Sequence, residues 1–197
     1  MANAVDKRRR EFATVRHCAR RALGALGHPP QALVPGERGA PQWPAGVVGS
    51  MTHCVGYRAA AVARTADVHT IGIDAELHAP LPEGILEMIS RPEETARLAA
   101  HRSADGSVCW DRLLFSCKES VYKAWYPLTR RWLGFEHASV TVDPVDQTFS
   151  AHLLVPGPSV AGQPLQTFAG RWLIRDGLVL TAITVLVQSD RSNTYTI

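Results

Sequence analysis

VVGSMTHCVGYRAAAVARTADVHTIGIDAE, residues 47–76, is the stretch whose reading decides the fold. It divides into VVGSMTH (47–53), YRAAAVAR (57–64) and TIGIDAE (70–76), three apolar runs of strand length separated by short turn-like stretches. Connections this short leave no room for crossover helices, so the runs read as a small antiparallel sheet.

Upstream, residues 28–46 are rich in Pro and Gly and read as a loop. Before them Phe12, Val15, Ala19, Leu23 and Leu26 recur at three- and four-residue steps, predicting an amphipathic helix over about 8–26 that stops at Gly27 and Pro29-Pro30. At 100° per residue Arg8 falls on the apolar stripe and Arg16 at its edge, whereas Arg10 and Arg21 point away. An inward arginine predicts an anionic partner.

Downstream, LHAPLPEG (77–84) interrupts regular structure, and we place a boundary there, giving halves 1–77 and 78–197. The second half opens with helical stretches over 83–101 and a longer helix near 107–126. Strand-like runs follow at 138–143, 149–155, 168–175 and 178–187, the last two flanking Asp176-Gly177, a strong two-residue hairpin signal. The fold class expected is α+β, two similar halves each with a major helix and a small antiparallel sheet.

Composition agrees with a soluble globular chain: 46% of the 197 residues are hydrophobic and 20% charged, unlike a disordered polymer. The net charge of +3 hides an asymmetry, because residues 1–21 hold seven basic and two acidic side chains while the remaining 176 carry a net −2. Positive charge is confined to one short segment. Cys18, Cys54, Cys109 and Cys117 lack zinc-ligand spacing or a disulfide pattern, which suits reducing cytosol. There is no membrane-length apolar run and no signal-peptide pattern after the charged opening.

Three local features carry chemistry. Asp74 and Glu76 stand two residues apart at a strand end, so both carboxylates share a face, a hard-cation arrangement suited to Mg²⁺. Taken alone, such a pair also describes a solvated strand end. In FSCKESVYK (115–123) the helix buries Trp110, Leu113, Leu114, Cys117, Val121, Ala124 and Trp125. Glu119 lies opposite that stripe with Lys123 one turn on, and Lys118 toward the flank. An exposed ion pair has the same spacing. In Ser50-Met51-Thr52-His53 a small-residue turn precedes a histidine able to meet phosphate or carry a proton, although lone histidines are more often structural.

It is the ordered set that is specific. The arginine-rich first helix, GSMTHCVGYRAAAVAR, GIDAE and FSCKESVYKAWYPLTRRWLGFEHASVTV together resemble the Sfp-type 4′-phosphopantetheinyl transferases, within them the group of enterobactin synthase component D and the actinobacterial enzymes, over about residues 7–187. The resemblance implies transfer of the phosphopantetheine arm of coenzyme A to a serine of an acyl or peptidyl carrier protein, with release of 3′,5′-ADP. It implies Mg²⁺, or Mn²⁺, held by Asp74, Glu76 and Glu119, with Asp74, Glu119 and Lys123 as catalytic residues and Glu119 as general base. Lys118 and Lys123 are expected on coenzyme A phosphates, and Arg8, Arg16, His53 and Thr52 on its 3′-phosphate, with Arg9 assisting. Relatives carry a lysine where Pro35 begins PGERG, and Arg38 is the expected substitute.

The run Tyr126–Phe135 is expected to receive an acidic carrier through Arg130 and Arg131, or to pack the second half through its aromatics. Fatty-acid, polyketide, nonribosomal-peptide and siderophore carriers all fit. A monomeric, cytoplasmic enzyme with neither nucleic-acid nor membrane partners is expected. The competing classes are a Mg²⁺-dependent nuclease, disfavoured by the lack of a broad basic track, and a coenzyme A-binding module without turnover.

Overall fold

The computed structural model describes the backbone of residues 2–188 and the side chains of residues 11–188. The first helix, α1 (Ala2–Ala25), runs a turn or more further upstream than the apolar periodicity alone predicts. Its stripe of Val15, Ala19 and Leu23 is buried, with Ala19 and Leu23 packing on Leu33, Val47, Trp43, Met51, Ala60 and Val62. That contact seats α1 on a hairpin, β1 (Val47–Cys54) and β2 (Tyr57–Arg64), paired from Val47↔Arg64 to Cys54↔Tyr57. Gly56, at φ +79, makes the reversal.

The third predicted strand, β3 (Val68–Leu77), leaves this hairpin and enters the sheet of the second half. After the short α2 (Ile85–Ile89), α3 (Pro92–Ala104) and the long α4 (Trp110–Thr129) come β4 (Ala138–Asp143) and β5 (Thr148–Leu153). A minor ribbon of β6 (Ser159–Val160) and β7 (Gln163–Pro164) precedes β8 (Thr167–Arg175) and β9 (Leu178–Leu186). The antiparallel order is β3-β9-β8-β5-β4. The β8–β9 turn is the Asp-Gly reversal the sequence announced, with Asp176 at φ 51 and Gly177 at φ 73; both central residues have positive φ, as a type I′ turn requires.

The expected line at residue 77 therefore runs through a hydrogen-bonded ladder, since β3 pairs with β9 from Val68↔Leu186 to Leu77↔Leu178. Nor are the two sheets equal, one being a hairpin and the other five-stranded. What joins them is side-chain chemistry. As an edge strand β3 has outward amides, and those of Ile73 and Ala75 donate to Ser50 Oγ (3.1 Å) and Thr52 Oγ1 (2.9 Å) on β1. The hairpin thus covers an edge that would otherwise offer unpaired backbone groups.

On one face of the large sheet lies α4. Its apolar stripe, among it Leu113, Leu114, Cys117, Val121, Ala124 and Trp125, is buried with Phe149, Ala151, Phe168, Val179 and Ile183. Gly72 permits the closest approach: a β-carbon there would overlap the Ser120 carbonyl oxygen and crowd Ala124. Thr70 Oγ1 adds a buried hydrogen bond to the Ala124 carbonyl at 2.9 Å.

Candidate active site

Strand β3 and helix α4 bring the predicted carboxylates to one place. Asp74 is nearly buried, at 4% exposure, and both its oxygens are engaged. Oδ1 accepts from Lys123 Nζ at 2.6 Å and from Thr52 Oγ1 at 3.2 Å, while Oδ2 accepts from Ser116 Oγ at 2.9 Å. Glu76, on the same face of β3, pairs with Arg112 Nη1 at 3.1 Å. Glu119 faces them from α4.

These groups feel one another electrostatically. Burial pushes the Glu76 carboxyl above its ordinary value, and the charge of Asp74 pushes it further, against the pull of Arg112 and Lys123. Glu119 is also raised, first by burial and then by Asp74, with Lys123 opposing. Negative charge is therefore concentrated at a cost that a divalent cation would relieve, and the donors are all hard oxygens. Among the described residues, no three His, Cys, Asp or Glu side chains close into a cage able to hold an ion unaided. The set fits Mg²⁺ in the manner usual for that ion, which keeps waters and takes phosphate oxygens alongside a few carboxylates.

Lys118 does not join this cluster. It is buried at 3% exposure, pairs with Glu94 Oε2 at 2.8 Å, and donates to the carbonyls of Phe135 (2.7 Å) and Ala138 (3.1 Å). An ammonium has three protons, and all three are committed. These bonds weigh against its meeting a coenzyme A phosphate, although Lys118 lines the cleft beside Glu119.

The hairpin end is organised around Glu11. His53 Nε2 lies 3.8 Å and Arg58 Nη2 3.5 Å from its carboxylate. Arg58, opposite His53 in the β1–β2 register, was not singled out from sequence; pairing across the Val55-Gly56 turn was the signal that places it there. Arg16 is inward as expected, but its described partners are not anionic: Nε donates to Leu33 O at 2.9 Å and the guanidinium lies 3.3 Å from the Phe12 ring centroid. The Thr52 hydroxyl is occupied by Asp74 and Ala75 rather than turned to an outside anion. Arg8 and Arg9 lie on α1, outside the described side chains.

Arg38, the expected substitute for the phosphate-contacting lysine, stands beside Trp132. At φ 54, it carries its guanidinium to 5.7 Å from the Trp132 ring centroid. Trp132 in turn packs on Tyr122 with centroids 5.2 Å apart. Both rings line a cleft of about 200 Å³ that Lys118, Glu119, Val121, Leu133, Gly134, Phe135 and Ala138 complete. The 35–39 loop thus leans on the wall of an apolar cleft beside Glu119. Of the run expected to meet a partner, Leu133 is buried, Trp132 is 60% exposed, and Arg130 and Arg131 face solvent.

Comparison with known proteins adds two family matches, the 4′-phosphopantetheinyl transferase N-terminal domain over residues 1–63 and the 4′-phosphopantetheinyl transferase superfamily over residues 70–172. The first ends within β2 and the second begins within β3. The chain is 60% identical to the 4′-phosphopantetheinyl transferase Svp of Streptomyces mobaraensis over 94% of this chain and 75% of that protein. Identity to the 4′-phosphopantetheinyl transferase Npt of Nocardia iowensis is 56%, over 93% of this chain and 85% of the relative. For the 4′-phosphopantetheinyl transferase PptT of Mycobacterium tuberculosis it is 50%, with coverages of 94% and 82%.

Proposed function

The chain belongs to the 4′-phosphopantetheinyl transferase superfamily, and from that premise we propose which residues carry the transfer. The enzyme moves the phosphopantetheine arm of coenzyme A onto a carrier-protein serine and releases 3′,5′-ADP. Family membership removes the nuclease reading and the reading as a binding module without turnover.

Our assignment rests on one observation: Asp74 and Glu76 share a face of β3, and Glu119 of α4 stands near enough for the charge of Asp74 to raise its carboxyl. These three would hold Mg²⁺, which when bound screens the pyrophosphate and the charge left on the departing 3′,5′-ADP. Lys123 holds Asp74 and, at 26% side-chain exposure, is more open to phosphate than Arg112 or Lys118. Glu119, raised by burial, is the base that takes the proton of the carrier serine. The apolar cleft beside it, walled by Tyr122, Trp132, Leu133 and Phe135, suits the uncharged pantetheine arm.

The 3′-phosphate falls to His53 and Arg58, with Arg8 and Arg9 of α1. Glu11 keeps the first two together in the absence of that anion. Arg38 belongs to the arm end, beside Trp132. The exposed Trp132, Arg130 and Arg131 form the face for an acidic carrier, since aromatics and arginines are characteristic interface anchors. We place the enzyme in the cytoplasm as a monomer; the four cysteines are unpaired thiols, as a reducing compartment favours. Among the described residues no helix is long and apolar enough to cross a membrane.

The test is incubation with coenzyme A, Mg²⁺ and a purified apo carrier, following intact carrier mass and 3′,5′-ADP. Mass gain abolished by EDTA and by Asp74→Asn is expected. Undiminished turnover in EDTA, or in Asp74→Asn, would remove the metal assignment.

A further inference from the structure

Behind Asp74 lie three hydroxyls that the chemistry above does not use. Ser116 and Ser120, one turn apart on α4, are fully buried, and Thr181 on β9 is 3% exposed. Thr181 is the cross-strand neighbour of Asp74, so the two side chains stand side by side on the face under α4. Ser116 Oγ is 2.9 Å from Asp74 Oδ2 and 2.9 Å from Thr181 Oγ1, and Ser120 Oγ contacts Thr181 Oγ1 in turn.

Three hydroxyls supply three protons, and the charges decide their direction. Asp74 is the charged acceptor of the group, and a hydrogen bond to a carboxylate is roughly twice as strong as one between neutral groups. The Ser116 proton therefore goes to Oδ2. Thr181 then donates toward Ser116, whose Oγ and main-chain oxygen lie 2.9 and 3.0 Å away, and it accepts the proton of Ser120. Thr181 shares its one proton between the Ser116 main-chain oxygen and Oγ, so its link to Asp74 is the shared bond to Ser116 Oγ.

We propose that Thr181 is a positioning residue for the transfer: through Ser116 it fixes the Asp74 carboxylate, with Oδ2 toward α4 and Oδ1 toward Lys123, before metal and coenzyme A arrive. Thr181 touches neither. The role rests on the reading of Asp74 as a metal carboxylate. Hydrogen-bonded partners of metal-ligating groups typically cost about 10- to 100-fold in metal affinity or activity when lost.

The experiment measures Mn²⁺ binding in the presence of coenzyme A by electron paramagnetic resonance of the unbound ion. It compares the parent, Thr181→Val, Thr181→Ser, Ser116→Ala and Asp74→Asn, with thermal melts verifying folding. Thr181→Val and Ser116→Ala are expected to weaken Mn²⁺ binding by about 10-fold, Thr181→Ser to restore it, and the metal concentration for half-maximal transfer to move more than kcat at saturating metal. Parent-like Mn²⁺ binding in folded Thr181→Val or, should that variant not fold, in Ser116→Ala would overturn the proposal. So would a Thr181→Ser variant as weak as Thr181→Val, because restoring the hydroxyl would then not restore binding. If Asp74→Asn also binds Mn²⁺ as the parent does, the metal reading itself fails and this role falls with it; loss in Asp74→Asn alone removes only the role of Thr181.

Discussion

Lys123 Nζ lies 2.6 Å from Asp74 Oδ1, joining the middle of α4 to the edge strand of the large sheet. Lys118, five residues earlier, is rotated about 140° around the helix and meets Glu94 at 2.8 Å instead. One motif thus supplies an ammonium to Asp74 and another to Glu94.

The first prediction separates them. Lys123 is partly exposed and its loss leaves Asp74 still hydrogen-bonded by Thr52 and Ser116, so Lys123→Ala should fold with a smaller loss of Tm than Lys118→Ala. Transfer should fall about 10²–10³-fold, the scale for losing one cationic or hydrogen-bonding stabiliser of developing charge. Steady-state kinetics beside a thermal melt check both halves of the claim. A variant that loses as much stability as Lys118→Ala would make Lys123 part of the framework.

Lys118→Ala should do the reverse. It leaves Glu94 buried and unpaired and the Phe135 and Ala138 carbonyls short of a donor, at a cost of about 3–5 kcal/mol. Burial already holds the Lys118 ammonium below its ordinary pKa against the opposing pull of Glu94. Urea denaturation should show the loss directly, and Lys118→Met with Glu94→Gln should recover part of it. Were Lys118 a phosphate ligand, Lys118→Ala would keep its stability and raise KM for coenzyme A.

The difference between these two lysines marks how far sequence reading reaches. Helical periodicity identified the buried stripe of α4 and put Glu119 and Lys123 on the other side, because those positions depend on the helix alone. Lys118 falls between the faces, and its fate depends on Glu94, a residue of α3 whose side chain also accepts from the amides of Arg91 and Val140. No local pattern announces a partner 24 positions away. The same holds for β3: its length and its carboxylates were legible, while its departure from the hairpin to pair with β9 is a long-range choice. Arg16 illustrates a third case, correct in direction but met by a main-chain oxygen and an aromatic ring. The Asp176-Gly177 turn was read fully, because positive φ at two adjacent positions is a local demand.

The raised carboxyls make a prediction about pH. In metal-free protein Glu76 and Glu119 hold their protons more tightly when folded than when unfolded. Their contribution to stability is most favourable near and below the ordinary value of 4.5 and is lost as pH rises through the folded values. Glu119→Gln removes this penalty. In EDTA it should melt above the parent at neutral pH, and the advantage should shrink as pH falls toward the ordinary carboxylate range. Melts across that range check it, and an advantage independent of pH would assign the gain to packing. The same variant should be inactive, so stability and turnover move in opposite directions.

Gly72 offers the most stringent test of the geometry, because it touches no reacting group. A β-carbon at this position would overlap the Ser120 carbonyl oxygen and press on the Ala124 amide. Both are main-chain atoms of a helix packed on a sheet, so neither side can yield as a flexible side chain would. Gly72→Ala must push α4 away from β3, and the groups carried outward are Ser116, Glu119 and Lys123, while Asp74 stays with the strand. Overpacking of this kind costs about 1–3 kcal/mol, but misplacing catalytic groups by about 1 Å costs about 10²-fold in rate. The variant should therefore remain folded at low temperature and lose turnover out of proportion to its stability. Kinetics measured well below its Tm distinguish the two effects: turnover that recovers fully once the folded population does would show that the separation of β3 and α4 does not control the reaction.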